Sequence, residues 1–157
     1  MGCDGYRRRG GAILGTFEAW LVLRGMRTMH RRVQQSCASA MQIASHFSAH
    51  PKIECVLYPG LADHLGHEIS KRQMQGGYGG MMPIQVAGGR DAALRVAEAV
   101  RLFFPATSLG GVESLLEHRA TVEGPYRTVP DNLLRISVGI KDVGDLVADL
   151  EQALTQA

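Results

Sequence analysis

A stripe of apolar side chains constrains this chain more than any other feature. Phe17, Trp20, Leu21, Met29, Val33, Cys37, Ala40, Ala44 and Phe47 recur mainly at steps of three and four, a spacing that lines them along one face of a helix. The pattern predicts a long N-terminal helix over about residues 16–49, opened by Gly15 or Thr16 and closed by Pro51. At about 1.5 Å per residue it would run about 50 Å. A domain of 157 residues does not cover a helix of that length comfortably, so a bend near Gly25 and a partner surface are expected.

Downstream, the period changes. Residues 53–58 have strand character and end in the turn pair Pro59-Gly60, and 63–73 read as a short helix rich in His and Lys. The cluster Gly76, Gly77, Gly79 and Gly80 leads into an apolar run, 81–86, of strand length. Gly88 and Gly89 turn the chain into a helix over 91–102, with Asp91 placed to cap it. Residues 103–107 form a short strand candidate. In 133–139, Leu134, Ile136 and Val138 alternate with Leu133, Arg135 and Ser137, which reads as a half-buried strand. From Asp142, with Asp145 three residues on, Val143, Leu146, Val147, Leu150 and Leu154 stripe a closing amphipathic helix. Helices alternating with short strands point to a small, mostly antiparallel sheet covered on one face by helices.

Composition narrows the function classes. A net charge of +2 supports neither nucleic acid nor an anionic membrane as the partner, because such binding needs clustered basic contacts. Cys3, Cys37 and Cys55 are odd in number and widely spaced, which suits a reducing cytoplasm better than a disulfide framework or a CxxC zinc site. No run of about 18 apolar residues exists to span a bilayer, so a soluble chain is expected. Residues 1–11, with Arg7, Arg8 and Arg9, read as a flexible, solvated lead-in.

Several chemistries fail on spacing. His46 with His50, and His64 with His67, could each ligate zinc, but neither pair has a carboxylate and a third ligand in a recognisable pattern, and no metal is expected. The Gly76–Gly80 cluster lacks the Lys and Ser/Thr of a P-loop, so close packing or a tight turn accounts for it better. No serine sits in G-x-S-x-G and no cysteine in a nucleophile signature. Two features carry more. In Ala106-Thr107-Ser108-Leu109-Gly110-Gly111-Val112-Glu113-Ser114, a hydroxyl and small residues follow a strand candidate, where backbone N–H groups can approach a ligand. Arg135, among Leu133, Leu134 and Ile136, keeps its charge and needs an anionic partner if buried. Its planar fork matches a carboxylate, although an internally paired arginine satisfies the same pattern.

The segments Ser108–Ser114, Leu133–Ile140 and Asp145–Leu154 resemble, in order, the closing motifs of the trans-sulfuration enzymes, the cystathionine gamma-synthases, cystathionine lyases and methionine gamma-lyases. Upstream, Phe17–Met29 and Val56–Leu61 match the same family, so the resemblance covers nearly all of the chain from Gly11 onward. It implies the α/β fold class, with residues 12–157 as the α+β C-terminal domain of a fold-type I transferase dependent on pyridoxal 5'-phosphate (PLP), the large cofactor-binding domain being absent. By the same resemblance Arg135 binds the α-carboxylate of an amino acid such as cystathionine, an O-acyl-homoserine, cysteine or methionine, and Ser108 and Leu109 lie beside that substrate. It implies a tetramer of complete chains and a reaction that makes or breaks a C–S bond.

The family's cofactor lysine sits in a Ser-x-Thr-Lys type of context. Lys52, Lys71 and Lys141, the only lysines here, do not, so the chain is expected to be inactive alone and to need the missing domain or subunit. Arg119 and Lys141 stand where the family more often has proline and an acidic residue, and Glu123 falls near a position where some members use threonine. The competing expectation is a non-catalytic association module that retains the fold.

Overall fold

The computed structural model describes residues 13–157. The lead-in expected over residues 1–11 lies outside them. The chain divides into two compact units, the first ending at Arg31 and the second running from Arg32 to Ala157.

The expected single helix is interrupted. Helix α1 (Thr16–Met26) stops before a turn at Arg27 and Thr28, and α2 (Met29–Phe47) begins after it. The break falls just beyond Gly25, the weakest helix former of the segment, and the Thr28 hydroxyl donates to the Gly25 carbonyl at 3.4 Å, a local bond that competes with helix continuation. Helix α1 buries none of its residues. The Phe17 and Trp20 rings stack on each other with centroids 5.9 Å apart.

The second unit is built on five strands, β1 (Ile53–Val56), β2 (Met81–Val86), β3 (Phe103–Pro105), β4 (Ser114–His118) and β5 (Leu133–Ser137), in the order β1-β2-β5-β4-β3. Every neighbouring pair is antiparallel except β3 with β4, so the sheet is mostly antiparallel, as the pattern predicts. Strand β5 is central. It is buried on both faces rather than half-buried, since Leu133 and Ser137 on its second face are covered as well as Leu134 and Ile136 on its first; only Arg135 is partly exposed. Strand β4 is absent from the sequence reading.

Helices α3 (His67–Gln73), α4 (Gly89–Ala99), α5 (Arg119–Glu123) and α6 (Val143–Leu154) complete the unit. Ile43 and Phe47 of α2, Ala93 and Val96 of α4, and Leu146, Leu150 and Leu154 of α6 form one core with Met82, Ile84, Leu116, Leu134 and Ile136 of the sheet. Each such Leu, Ile or Phe contributes roughly 1.5–3 kcal/mol through burial.

Capping explains where the helices begin and end. Asp142 accepts from Gly144 N at 2.8 Å and Asp145 N at 3.2 Å and opens α6 as expected. Asp91 does not cap α4; it lies in the first turn, and Gly88, at φ 96°, takes the cap position. Helix α4 also stops at Ala99 rather than near 102. The buried Asp149 of α6 accepts from Arg101 N at 2.9 Å and Leu102 N at 2.7 Å, which draws those residues out of the helix and toward β3. Helix α3 is shorter than 63–73 because His64 Nδ1 accepts from Gly66 N at 3.0 Å and holds a turn there.

The glycine cluster packs closely. A Cβ on Gly77, whose φ is 141°, would lie 2.6 Å from the Cβ of Cys37 in α2, so this loop rests directly on the helix, as expected of close packing rather than of a phosphate cradle.

Candidate functional site

Arg135 projects from the central strand on the face opposite the core side chains Leu134 and Ile136. Sheet register sets Pro83 of β2 on one side of it and Glu117 of β4 on the other. Its Nη1 donates to the Thr107 carbonyl at 2.8 Å and to Glu117 Oε1 at 3.3 Å, and Nη2 lies 4.0 Å from Met81 Sδ. The side chain is 19% exposed, so the guanidinium is held in place while one side stays open. The first bond brings the segment after β3 against the arginine.

Ser108 and Leu109, the two other expected site residues, follow Thr107 directly and are exposed. Leu109 lines a cavity of about 240 Å³ together with Arg32, Gly80, Met81, Gly110 and Ser137. Arg32 Nε donates to the Gly110 carbonyl at 3.4 Å. The far end of the segment is fixed at Gly139, where a Cβ would come within 2.4 Å of the Val112 carbonyl oxygen. Gly139 N donates to the buried Ser114 Oγ at 3.0 Å, and Ile140 N to Val112 O at 3.1 Å. Glycine at 139 is therefore what lets the 108–114 loop close onto the end of β5.

The anionic partner that the sequence demands of Arg135 is Glu117, whose side chain is 5% exposed. The same Oε1 accepts from Arg119 Nη1 at 3.1 Å, and Arg119 Nε donates to Glu123 Oε1 at 2.8 Å. Glu117 Oε2 is buried without a hydrogen-bond partner among the described residues. Sequence reasoning missed Glu117. The signal that could have found it is cross-strand pairing, visible only once 114–118 is recognised as a strand.

A second cleft of about 250 Å³ opens where β3 stops pairing with β4, lined by Leu94, Ala97, Thr107, Leu116, His118 and Val122 among others. His118 Nε2 donates to the Asp131 carbonyl at 2.6 Å, which leaves Nδ1 to accept from the Thr121 hydroxyl at 2.6 Å. His46, His50, His64 and His67 are also engaged. His46 Nε2 and His50 Nε2 lie 2.7 Å and 3.4 Å from the two carboxylate oxygens of Glu151, so this pair clasps α6, and His67 Nδ1 donates to the Pro59 carbonyl at 2.9 Å.

A PLP Schiff base needs a lysine free to react inside a cleft. Lys52 Nζ donates to the Ala157 carbonyl and Lys141 Nζ to the Leu102 carbonyl, both at 2.6 Å, the latter also lying 4.8 Å above the Phe104 ring centre. Lys71 lies on the exposed helix α3. The residues of this chain do not fit the covalent attachment of that group.

Known proteins share this chain's sequence and fold. The chain is 47% identical to the cystathionine gamma-synthase of Mycobacterium tuberculosis over 149 residues, 92% of this chain and 38% of that protein. It is 45% identical to the cystathionine gamma-lyase of Dictyostelium discoideum over 152 residues, again 92% of this chain and 39% of the other. The crystal structure of metB from Corynebacterium glutamicum superposes with a TM-score of 0.87 at 43% identity, covering 96% of this chain and 40% of that one. The chain thus spans about two fifths of the length of these relatives, which are themselves enzymes. The model of the Cys/Met metabolism PLP-dependent enzymes matches residues 4–155, nearly the whole sequence, and the chain belongs to that family.

Proposed function

We propose that this chain is the substrate-carboxylate-binding part of a PLP-dependent enzyme of sulfur amino acid metabolism, one that forms or cleaves a C–S bond. The observation that carries the reading is Arg135, a guanidinium on the central strand with one open side, whose one charged partner among the described residues is a carboxylate it shares with Arg119. Two N–H donors in a rigid fork match a substrate α-carboxylate. Fixing that carboxylate orients the rest of the amino acid, and orientation is where binding energy lowers a reaction barrier. Ser108 and Leu109 stand beside the bound amino acid and narrow the space around its side chain. PLP, when bound in the complete enzyme, supplies the electron sink; its Schiff-base lysine belongs to the part of the enzyme outside this chain.

On this reading the substrate is an amino acid of the cystathionine, O-acyl-homoserine, cysteine or methionine type. The chain acts in the cytoplasm, with its large domain or a subunit carrying it, in a tetramer of complete chains, and is inactive alone. The test is Arg135→Ala in the complete enzyme formed by joining this chain to its cofactor-holding part. The PLP absorbance band should persist while the amino-acid dissociation constant rises at least about a hundred-fold, the loss expected when one member of a desolvated charge pair is removed. Unchanged amino-acid affinity would take Arg135 out of the site.

A second reading, a non-catalytic association module, has one observation in its favour: α1 leaves Phe17, Trp20, Leu21, Val22, Leu23 and Met26 between 45% and 65% exposed. A patch of that kind favours association. A monodisperse monomer in light scattering would count against it.

A further inference from the structure

Glu117 serves two guanidiniums through one oxygen. Arg119 Nη1 approaches Oε1 to 3.1 Å and Arg135 Nη1 to 3.3 Å, while Oε2 has no partner among the described residues. The two arginines are not treated equally. Arg119 holds a second carboxylate, Glu123, at 2.8 Å along α5, whereas the other contact of Arg135 Nη1 is to a neutral carbonyl, Thr107 O. Two cations and two carboxylates balance as a group, but the pairing is displaced toward Arg119, and Arg135 keeps the longest of the three charged contacts.

We propose that Arg119 is a positioning residue that sets the affinity of Arg135 for a carboxylate. By drawing Glu117 Oε1 toward itself, Arg119 keeps a buried anion from neutralising Arg135 and leaves charge there for an incoming carboxylate. Its own cation, 3.1 Å from the same oxygen, adds attraction in the same direction, and with Glu117 only 5% exposed water screens these terms weakly. Glu117 is then the competitor of the ligand as well as the anchor of the arginine. The inference rests on the reading of Arg135 as the carboxylate-binding group and names what tunes it.

The experiment uses the 157-residue chain itself. The Arg135 Nε–Hε resonance, identified by its loss in Arg135→Lys, is followed by NMR during titration with propionate, with propylamine as the control that lacks a carboxylate. A saturable shift is expected with propionate and none with propylamine. Arg119→Gln should weaken propionate binding at least about five-fold, the lower end of a typical coupling between two groups. Arg119→Lys should restore most of that affinity, and Glu117→Gln should tighten binding. A merely structural brace would instead make Arg119→Gln and Glu117→Gln both weaker, which overturns the proposal. If Glu117→Gln fails to fold, the two Arg119 variants decide, since that side chain is one-third exposed. No saturable shift in the parent chain would sink the reading of Arg135 itself. A shift that Arg119→Gln leaves unchanged would keep that reading and overturn only the role of Arg119.

Discussion

Helices α6 and α1 are nearly equal in length, 12 and 11 residues, and both are apolar, yet α6 buries Leu146, Asp149, Leu150, Ala153 and Leu154 whereas α1 buries nothing. Their sequences differ in arrangement. In α6 the apolar residues fall at helical spacing and leave Asp145 and Gln152 to solvent and to bonding. In α1, Trp20, Leu21, Val22 and Leu23 run consecutively and point all round the axis. A one-sided stripe specifies one surface to pack on, and a helix apolar all round asks to be enclosed. Capping follows the same division: Asp142 bonds two orphan amides at the start of α6, while Gly15 gives α1 no side-chain cap. The contrast teaches that α6 is written for a core within this chain and α1 for surroundings beyond its own core.

The largest effect that could break this comparison is Leu150→Ala. Leu150 is 1% exposed, and its truncation should lower unfolding free energy by about 2–5 kcal/mol, read by urea denaturation; a loss below 1 kcal/mol would mean that α6 is not the core helix described. The aromatic residues sharpen it next. Tyr58 is fully buried and donates to the Gly79 carbonyl at 2.8 Å, whereas Trp20 is 55% exposed. Burial, with smaller contributions from Cys37 and Tyr78, pushes the Tyr58 phenol up from 10.0 to about 12. The neutral phenol is therefore favoured by folding. Its stabilisation is complete below pH 10 and is lost as pH rises from 10 toward about 12, roughly 2–3 kcal/mol in all. Tyr58→Phe should flatten that alkaline loss in urea titrations at successive pH values, and an unchanged pH dependence would assign it to other groups.

Smaller still is the cap. Asp142→Ala should cost about 1 kcal/mol, detectable as a lower thermal midpoint, and no change would mean that packing alone fixes the start of α6. Leu23→Ser in α1 should alter stability by less than about 0.5 kcal/mol while reducing the mass seen by light scattering. A large loss of stability there would show that α1 is covered within the chain after all.

The parts of the fold legible in the sequence are those whose pattern is local. Strand β2 matches the apolar run 81–86, and α6 could be read from Asp142 and the stripe behind it, because the signals lie within one element. Strand β4 could not. It carries Glu117 and His118, polar residues that are buried because Arg119, Arg135, Thr121 and the Asp131 carbonyl meet them, and two of those four partners, Arg135 and Asp131, come from farther along the sequence. The same holds for Asp149, which looks like one more polar helix residue until the amides of 101 and 102 are brought to it. At the site, the need of Arg135 for an anion was readable from its apolar neighbours. The anion's identity was not, since it depends on which strand lies beside β5.

That placement of β5 bears on how the chain folds. Residues 133–137 sit between β2 and β4, so those two strands, although made earlier, have no direct pairing to form with each other. A nascent chain that has not yet extended past residue 137 presents two open sheet edges where the finished sheet has a centre, and open edges template pairing between chains. The sheet must therefore close late, by insertion of one strand between two waiting partners, a long-range step that slows folding and lengthens exposure to aggregation. For the same reason, a peptide spanning β5 and α6 supplied in trans is the natural piece with which to complement a chain cut in the loop before residue 133.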